Sequence, residues 1–236
     1  MSISKKSSPS KITETTSVIA HQLKTPLSGI KSSLEVLLSE DLGSLTRQQR
    51  EYLELTLAST EKMIFLVKNL LDAARIDEKR LQLNVSNADL VDIVKGVVED
   101  FLTLARAKNS TIVFKVVGEI PFLTIDAIKI QQVINNILYN AIRYNKGKGL
   151  ITVILKHEGK FIKFSCQDSG IGISDTEKKK VFSKFYRSPR VVELATEGSG
   201  LGLFIAKAII EQSGGKIWFE SNEGEGSTFY FTLPVT

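Results

Sequence analysis

The chain has 236 residues, of which 42% are hydrophobic and 24% charged, which suits one or two globular domains with a buried core. No apolar run approaches the ~18 residues that cross a bilayer, and the start lacks the apolar segment of a secretory signal, so we expect a soluble, cytoplasmic chain without membrane contact. Its single cysteine, Cys166, excludes an internal disulfide, and a net charge of +5 without a stripe of Arg and Lys argues against nucleic acid as a partner.

The first part of the chain is predicted to form two long helices, from about Thr13 to Ala74, separated by the segment SEDLGSLTRQQ. At about 100° per residue, the apolar side chains of the first helix share one face, and His21 projects from the opposite face toward solvent. Pro26 should bend this helix one turn after His21. The apolar positions are Ile19, Leu23, Leu27, Ile30, Leu34 and Leu37 in the first helix, and Tyr52, Ser59, Met63, Leu66, Leu70 and Ala73 in the second.

This antiparallel helical hairpin has little depth in which to bury apolar side chains. Pairing with a second copy solves that problem, so the pattern favours a homodimer whose hairpins form a four-helix bundle. The alternative is a lone hairpin that packs on the second domain.

Beyond a charged hinge, IDEKRLQL, the pattern becomes that of an α+β domain with a sandwich of helices on a sheet. We therefore predict a multidomain fold with boundaries at 1–82 and 83–236. His157, at a strand end, is expected to be solvated and to need no function. The predicted elements are helices near 90–107, 127–144 and 201–212, and strands STIVFKVV, FLTID, GLITVILKH, FIKFSCQD, GGKIWFES and GSTFYFTL.

The predicted helix QVINNILYNAIRY places Asn136 and Asn140 one turn apart on the same face, with Arg143 and Tyr144 just beyond. Carboxamide oxygens are hard ligands that suit Mg²⁺, which takes few protein ligands and keeps phosphates and water for the rest. Without other evidence, two asparagines that cap or solvate a helix would explain the pattern equally well.

Two glycine-containing segments could hold a nucleotide. In DSGIGI, Asp168 ends a strand and could accept a hydrogen bond from the exocyclic amine of adenine, while Gly170 and Gly172 let the backbone approach the base. In EGSGLGLFIAK, a run of glycines comes directly before a helix, whose first amides form an anion site. The residues of this run are Gly198, Gly200, Leu201 and Gly202.

Between these segments lies KKKVFSKFYRSPR, which has no clear periodicity and could form a mobile lid over a triphosphate. Its basic residues are led by Lys184, Arg187 and Arg190, interleaved with Phe182, Phe185 and Tyr186. Further on, GEGSTFYFTL carries Gly224 and Gly226 into the last strand.

The stretch AHQLKTPLSGIKSS resembles the phosphoacceptor box of sensor histidine kinases, and KMIFLVKNLLDAARID resembles the second helix of their dimerisation and histidine phosphotransfer domain. The later segments are similar, in order, to the N, glycine and F boxes of the ATP-binding domain shared with gyrase-type ATPases and certain chaperones. The resemblance runs from about Ile19 to Pro234.

This resemblance implies that His21 accepts the γ-phosphoryl group of ATP and passes it to an aspartate in the receiver domain of a response regulator. Asn140 would be the principal Mg²⁺ ligand, supported by Asn136, and Arg187 would stabilise charge on the transferred group. ATP and Mg²⁺ are thus the implied cofactors. The other positions implied to contact nucleotide are Arg143, Tyr144, Asp168, Gly170, Gly172, Lys184, Gly198, Gly200, Leu201 and Gly202.

Two departures from the family pattern stand out. Family members usually carry a carboxylate directly after the histidine, whereas this chain has Gln22, whose amide is no general base near neutral pH. Thr25 matches the polar residue that the family uses to position water for removing phosphate from its partner, which leaves phosphatase activity open.

The second departure is that only about twenty residues precede His21, where the family places a sensor that is often membrane-bound. An excised core of a longer kinase and a short cytosolic kinase both fit. Two rival functions are a non-transferring ATPase of the same superfamily and a degenerate kinase that acts as a phosphotransfer or phosphatase scaffold.

Overall fold

The structure is a computed structural model that describes residues 11–188 and 198–235, with side chains described from residue 22 onward. The chain divides into two compact units, Met1–Leu81 and Gln82–Thr236. Within the described ranges, no helix is long and apolar enough to cross a membrane.

The first unit is a helical hairpin of α1 (Lys11–Leu38) and α2 (Arg47–Asp77), as predicted. A capping box starts α2: the backbone amide of Gln49 donates to Thr46 Oγ1 over 3.2 Å, and the amide of Thr46 donates to Gln49 Oε1 over 2.9 Å. The first helix is continuous through Pro26. The bend expected there stays a prediction.

The apolar stripe of α1 is only partly covered in the single chain. Leu27 and Leu34 are buried, whereas Leu23, Ile30 and Leu37 are exposed. On α2, the predicted stripe residues Tyr52, Met63 and Leu66 are exposed as well. The hairpin therefore presents a continuous unburied apolar surface.

The second unit is a five-stranded sheet in the order β2-β4-β5-β7-β6, with a separate two-stranded sheet of β1 and β3. Strand β2 is parallel to β4, and the other neighbours are antiparallel. The strands are β1 (Ser86–Ala88), β2 (Ser110–Val117), β3 (Leu123–Ile125), β4 (Gly149–Glu158), β5 (Phe161–Asp168), β6 (Lys216–Asn222) and β7 (Gly226–Pro234). The helices are α3 (Leu90–Ala107), α4 (Ala127–Tyr144), α5 (Asp175–Lys178) and α6 (Gly202–Gln212).

The core lies between one face of the sheet and helices α3, α4 and α6. Alternate residues of the central strands are buried, and the rings of Phe164 and Phe231 stack across β5 and β7 with centroids 4.6 Å apart. Cys166 is buried in this core. The predicted sandwich is confirmed.

Three features differ from expectation. The strand Ser86–Ala88 was not predicted, because three residues carry no readable alternation, and the segment after Asp168 contains the short helix α5. His157 is exposed but is more than a solvated strand end. Its Nδ1 lies 3.0 Å from the carbonyl oxygen of Glu119, and its Nε2 lies 3.1 Å from that of Gly159.

Candidate functional site

Helix α4 gives its two candidate metal ligands different environments. Asn136 is buried, and its Nδ2 donates to the carbonyl oxygen of Gly202 over 3.1 Å, which ties α4 to the start of α6. Asn140 is half-buried, and its side chain makes no hydrogen bond within the described part of the chain. A half-buried carboxamide with an unused oxygen fits a Mg²⁺ ligand, so Asn140 suits that role better than Asn136.

Asp168 lies at the end of β5, held by backbone amides from two directions. Its Oδ1 accepts hydrogen bonds from Gly170 N over 2.9 Å and from Ser227 N over 3.2 Å. Its Oδ2 accepts none from the residues that the structure describes. Burial raises the pKa of Asp168 to about 6, although the two backbone hydrogen bonds act in the opposite direction. The result is a nearly buried carboxylate with one oxygen left for a ligand.

The segment after Asp168 has no space for side chains at its glycines. A Cβ at Gly170 would collide with the carbonyl oxygen of Tyr144, and a Cβ at Gly172 would collide with that of Asn222. Gly172 also has a φ of +64°, which disfavours any L side chain. The two glycines therefore allow this segment to pack directly on the end of α4 and on the turn between β6 and β7.

Two serines that sequence reasoning missed hold this segment in place. Ser227 donates its amide to Asp168, and Ser221 Oγ accepts from Ile173 N over 2.9 Å. The two serine hydroxyl oxygens lie 2.9 Å apart. In the sequence, the signal near them is the segment GEGSTFYFTL, in which Gly224 and Gly226 drew attention and the serines did not.

The glycine run before α6 contacts two segments that are distant in the sequence. Gly198 lies beside the guanidinium of Arg143, and Gly202 lies against Asn136. Gly200, with a φ of +68°, lies against the backbone of Phe185 and Tyr186. The fold thus brings this glycine run, the predicted phosphate-binding loop, to α4 and to the segment KKKVFSKFYRSPR, which we call the F segment.

Leu201, inside the same run, has a buried side chain, and its backbone amide donates to Ser199 Oγ over 3.3 Å. It starts α6 and anchors that helix in the core. Any contact of Leu201 with a nucleotide would have to use its backbone, because the side chain is not accessible.

Positive charge gathers around Tyr144 at the end of α4. The guanidinium of Arg143 lies 5.4 Å from the centre of the Tyr144 ring. Burial raises the pKa of Tyr144, while the charges of Arg143 and Arg187 act in the opposite direction. Arg187 is thus close enough to act electrostatically on the end of α4, as a phosphate-binding role requires.

The F segment carries an unusual backbone conformation. Phe185 is exposed and has a φ of +61°, which is rare for a bulky residue. The Nζ of Lys184 lies 5.3 Å from the centre of its ring, and Tyr186 donates its hydroxyl to Glu177 Oε1 over 3.1 Å. Arg190 lies outside the described residues.

The phosphoacceptor segment lies on α1 in the first unit. The backbone of His21 is helical, but its side chain is outside the described part, so its predicted exposure stays a prediction. Gln22 and Thr25 are both exposed.

The comparisons with known proteins divide the chain as the structure does. Residues 11–79 match the family model described as the His Kinase A (phospho-acceptor) domain. Residues 125–236 match the model described as the histidine kinase-, DNA gyrase B- and HSP90-like ATPase.

Curated relatives include the sensor histidine kinase WalK of Bacillus subtilis, which is 34% identical over 92% of this chain and 35% of its own length. The adaptive-response sensory kinase SasA of Synechococcus sp. is 31% identical over 92% of this chain and 58% of its own length. The chain thus spans about a third of WalK and just over half of SasA.

Solved structures give the same result. Full-length ShkA in complex with AMPPNP superposes with a TM-score of 0.73 and 25% identity over 94% of this chain and 45% of that chain. Histidine kinase ThkA in complex with the response regulator TrrA gives a TM-score of 0.61 and 25% identity over 94% of this chain and 61% of that chain. The chain therefore belongs to the histidine kinases and comprises their catalytic core, a phospho-acceptor domain followed by an ATPase domain of the gyrase B and HSP90 type.

Proposed function

We propose that this chain is the catalytic core of a two-component sensor kinase, which phosphorylates its own His21 from ATP and then transfers the phosphoryl group to an aspartate of a response regulator. The observation that carries the proposal is Asp168, a nearly buried carboxylate with one oxygen that accepts no hydrogen bond from the described residues, set in a backbone cradle that contacts the end of α4 at Tyr144. A cradle of this kind suits a nucleotide, and residues 11–79 match a phospho-acceptor domain.

Nucleotide recognition falls to residues of the second unit. Asp168 Oδ2 accepts from the exocyclic amine of adenine, because no residue that the structure describes donates to this oxygen. Gly170 and Gly172 let the segment after Asp168 pack directly on the backbone of Tyr144 and Asn222, which holds the carboxylate in place. ShkA, which superposes on this chain, was solved with the ATP analogue AMPPNP.

Asn140 would hold Mg²⁺ through its unused amide oxygen, and Asn136 would keep Oδ1 for the same ion while its Nδ2 binds Gly202. When bound, Mg²⁺ supplies positive charge that neutralises the phosphates. Arg143, Lys184 and Arg187 bring further positive charge to the phosphate end of the site.

In the transfer step, a lone pair of the His21 imidazole forms a bond to the γ-phosphorus, and the bond from that phosphorus to its bridging oxygen breaks. ADP leaves with the electron pair, and the ring loses its N–H proton to solvent. Most of the rate comes from positioning and electrostatics, because the transition state is loose. Gln22 can accept a hydrogen bond from the imidazole but cannot take up its proton.

Two partners follow from the proposal. A second copy of the chain would cover the exposed apolar stripe of α1 and α2, which gives a homodimeric four-helix bundle over residues 1–82, with the nucleotide domain at 83–236. The receiver domain of a response regulator would take the phosphoryl group in the cytoplasm. ThkA, another superposable kinase, was solved with the response regulator TrrA.

Incubation with γ-labelled ATP and Mg²⁺ tests the proposal. We expect acid-labile, base-stable label on the protein, its loss in His21→Ala, and its retention in His157→Ala. Equal label on both variants would exclude His21 as the acceptor. Free phosphate without labelled protein would indicate an ATPase. No reaction would indicate a degenerate kinase that acts as a phosphotransfer or phosphatase scaffold, in which Gln22 provides no general base.

A further inference from the structure

The outer face of the five-stranded sheet, which points away from the helices, has no role in the proposed reaction. Successive residues of a strand point to opposite faces, so the residues between the buried ones share this outer face. Its central side chains are half-buried or exposed, and no described element of the second unit covers them. The face is therefore open to a partner.

The strand register arranges the outer face in rows. Residues that pair across neighbouring strands lie side by side, so each row crosses the whole sheet. The central row holds Lys115, Ile154, Ser165, Tyr230 and Trp218. The next row holds Val117, Lys156, Lys163, Thr232 and Lys216. We call these two rows the lysine–aromatic face.

The lysines of this face are placed at some energetic cost. Lys156 lies directly opposite Lys163, and like charges in that position repel. Lys163 is drawn aside over Tyr230, with its Nζ 4.9 Å from the ring centre, and Lys156 pairs with Glu158 over 3.0 Å. Lysines that repel one another in this way are well suited to bind an anionic partner, which would reduce the repulsion.

The aromatic pair of the face is already internally packed. The rings of Trp218 and Tyr230 stack with centroids 5.2 Å apart, and Lys163 Nζ lies 5.7 Å from the Trp218 ring centre. The hydroxyl of Tyr230 donates to Glu220 Oε2 over 3.1 Å. Nucleobases would need free ring faces to stack on, which this arrangement does not offer.

We propose that the lysine–aromatic face binds the surface of an anionic phospholipid bilayer. Lysine beside tryptophan and tyrosine is the composition of peripheral membrane contacts, in which cations meet lipid headgroups and the rings lie at headgroup level. A protein partner is less favoured, because interfaces between proteins are depleted in lysine and enriched in arginine, and neither row holds arginine. The two rows also span only about 300 Å², from five strands at ~4.8 Å each and four residues at ~3.3 Å each, against about 800 Å² per partner for a stable protein interface.

This contact would be peripheral. The expectation that the chain has no membrane contact rested on the lack of a spanning segment, which does not bear on surface binding. The inference is independent of the proposed kinase activity, because the nucleotide residues lie on the helical side and at the strand ends.

Trp218 allows a direct test, because it is the only tryptophan of the chain. The chain is titrated with vesicles of phosphatidylcholine alone and with vesicles that also contain about one-third phosphatidylglycerol. We expect a blue shift of the emission with the anionic vesicles only, and its reversal by high salt. Co-sedimentation with the same vesicles measures the affinity.

A matched pair of double variants locates the contact. Lys156→Gln with Lys216→Gln removes two charges from the face, whereas Lys95→Gln with Lys108→Gln removes two exposed charges from the α3 region of the helical layer. At ~1 kcal/mol per lysine near the membrane, the first pair should weaken binding about thirtyfold and the second should leave it nearly unchanged. Equal thermal midpoints by circular dichroism confirm that both variants fold.

Three results would overturn the inference: no binding to anionic vesicles at low salt, equal loss in both double variants, or binding without a change in Trp218 emission. Polyglutamate and polyuridylate serve as competing probes. Saturable binding of either one to the unaltered chain, lost in the Lys156 and Lys216 double variant and without vesicle binding, would assign the face to an acidic protein or to a nucleic acid instead.

Discussion

At the scale of single residues, ionisation of Asp168 has opposite expected effects on the stability of the fold and on the proposed nucleotide binding. Burial raises its pKa to about 6, so the folded protein favours the protonated form. If Asp168 accepts from the adenine amine as proposed, it works best there when it is ionised. The bound amine would then stabilise the ionised form that burial disfavours.

The first prediction concerns the pH dependence of nucleotide binding. Because Asp168 loses its charge as the pH falls through about 6, the affinity for ADP should fall about tenfold between pH ~7.5 and pH ~5. Isothermal titration calorimetry of the whole chain measures it. In Asp168→Asn the affinity should be low at both pH values. Any change that this variant still shows comes from titration of the ADP phosphates and is subtracted from the change in the parent. An unchanged pH profile in Asp168→Asn would contradict the assignment.

The second prediction is the stability counterpart. A folded pKa above the unfolded value means that the free energy of unfolding rises as the pH falls through about 6, and that the ionised group destabilises the fold above it. Asp168→Asn keeps the acceptor for Gly170 and Ser227 but removes the charge. It should therefore raise the thermal midpoint near neutral pH, measured by calorimetry, while it weakens ADP binding. A lower midpoint would show that the carboxylate stabilises the fold.

Gln22 carries the third prediction. Gln22→Glu places a proton acceptor beside His21 and should raise the autophosphorylation rate by up to the ~10²-fold that a positioned base contributes. Gln22→Met, of similar length and without an acceptor, should be slower than the parent. Single-turnover labelling at saturating ATP compares the three proteins. A Glu variant slower than the parent would contradict this reasoning and would show that the amide of Gln22 favours autophosphorylation at this site.

Sequence reasoning proposes site residues that would act through their own side-chain chemistry. Asn140 and Asp168 are proposed because a carboxamide suits Mg²⁺ and a carboxylate suits the adenine amine. Ser227 could not be proposed in this way, because it acts through its backbone amide, and its position beside Asp168 is set by the register of β5 and β7. Such contacts depend on tertiary pairing that no local pattern encodes.

At the scale of elements, α4 shows how one helix face divides structural and chemical roles. Of the two asparagines predicted as neighbours on one face, Asn136 is the one hydrogen-bonded to α6 among the described residues. Their shared face follows from the helical spacing, whereas this hydrogen bond depends on where α6 begins, which the local pattern does not encode. The helices and long strands themselves were predictable from their periodicity, whereas the three-residue β1 was not.

The fourth prediction follows from this division. Asn136→Ala loses the hydrogen bond to Gly202 and the packing of a buried side chain, so the free energy of unfolding should fall by about 1–3 kcal/mol. Asn140→Ala should change it by less than about 0.5 kcal/mol, yet abolish Mg²⁺-dependent ADP binding. Urea unfolding and calorimetric titration measure the two quantities. Equal destabilisation by both substitutions would make Asn140 a structural residue.

At the scale of the whole molecule, the two units differ in how complete they are. The second unit buries a full core between its helices and one face of its sheet. The first leaves Leu23, Ile30 and Leu37 of α1 and Leu66 of α2 exposed. Apolar side chains exposed in this number are expected to be covered by a partner.

The fifth prediction tests whether a second copy provides that cover. Ile30 and Val36 are equally exposed on α1, at 46% and 49%, but lie about 120° apart around the helix, since each residue turns ~100°. Ile30→Glu would place two unpaired carboxylates inside the proposed four-helix bundle, a cost of several kcal/mol for each, whereas Val36→Glu would leave its carboxylate in water. Sedimentation equilibrium should therefore give a monomer for Ile30→Glu and a dimer for both the parent and Val36→Glu. A dimer in all three proteins would place the interface elsewhere, and a monomeric parent would mean that the apolar side of the hairpin is covered by something other than a second copy.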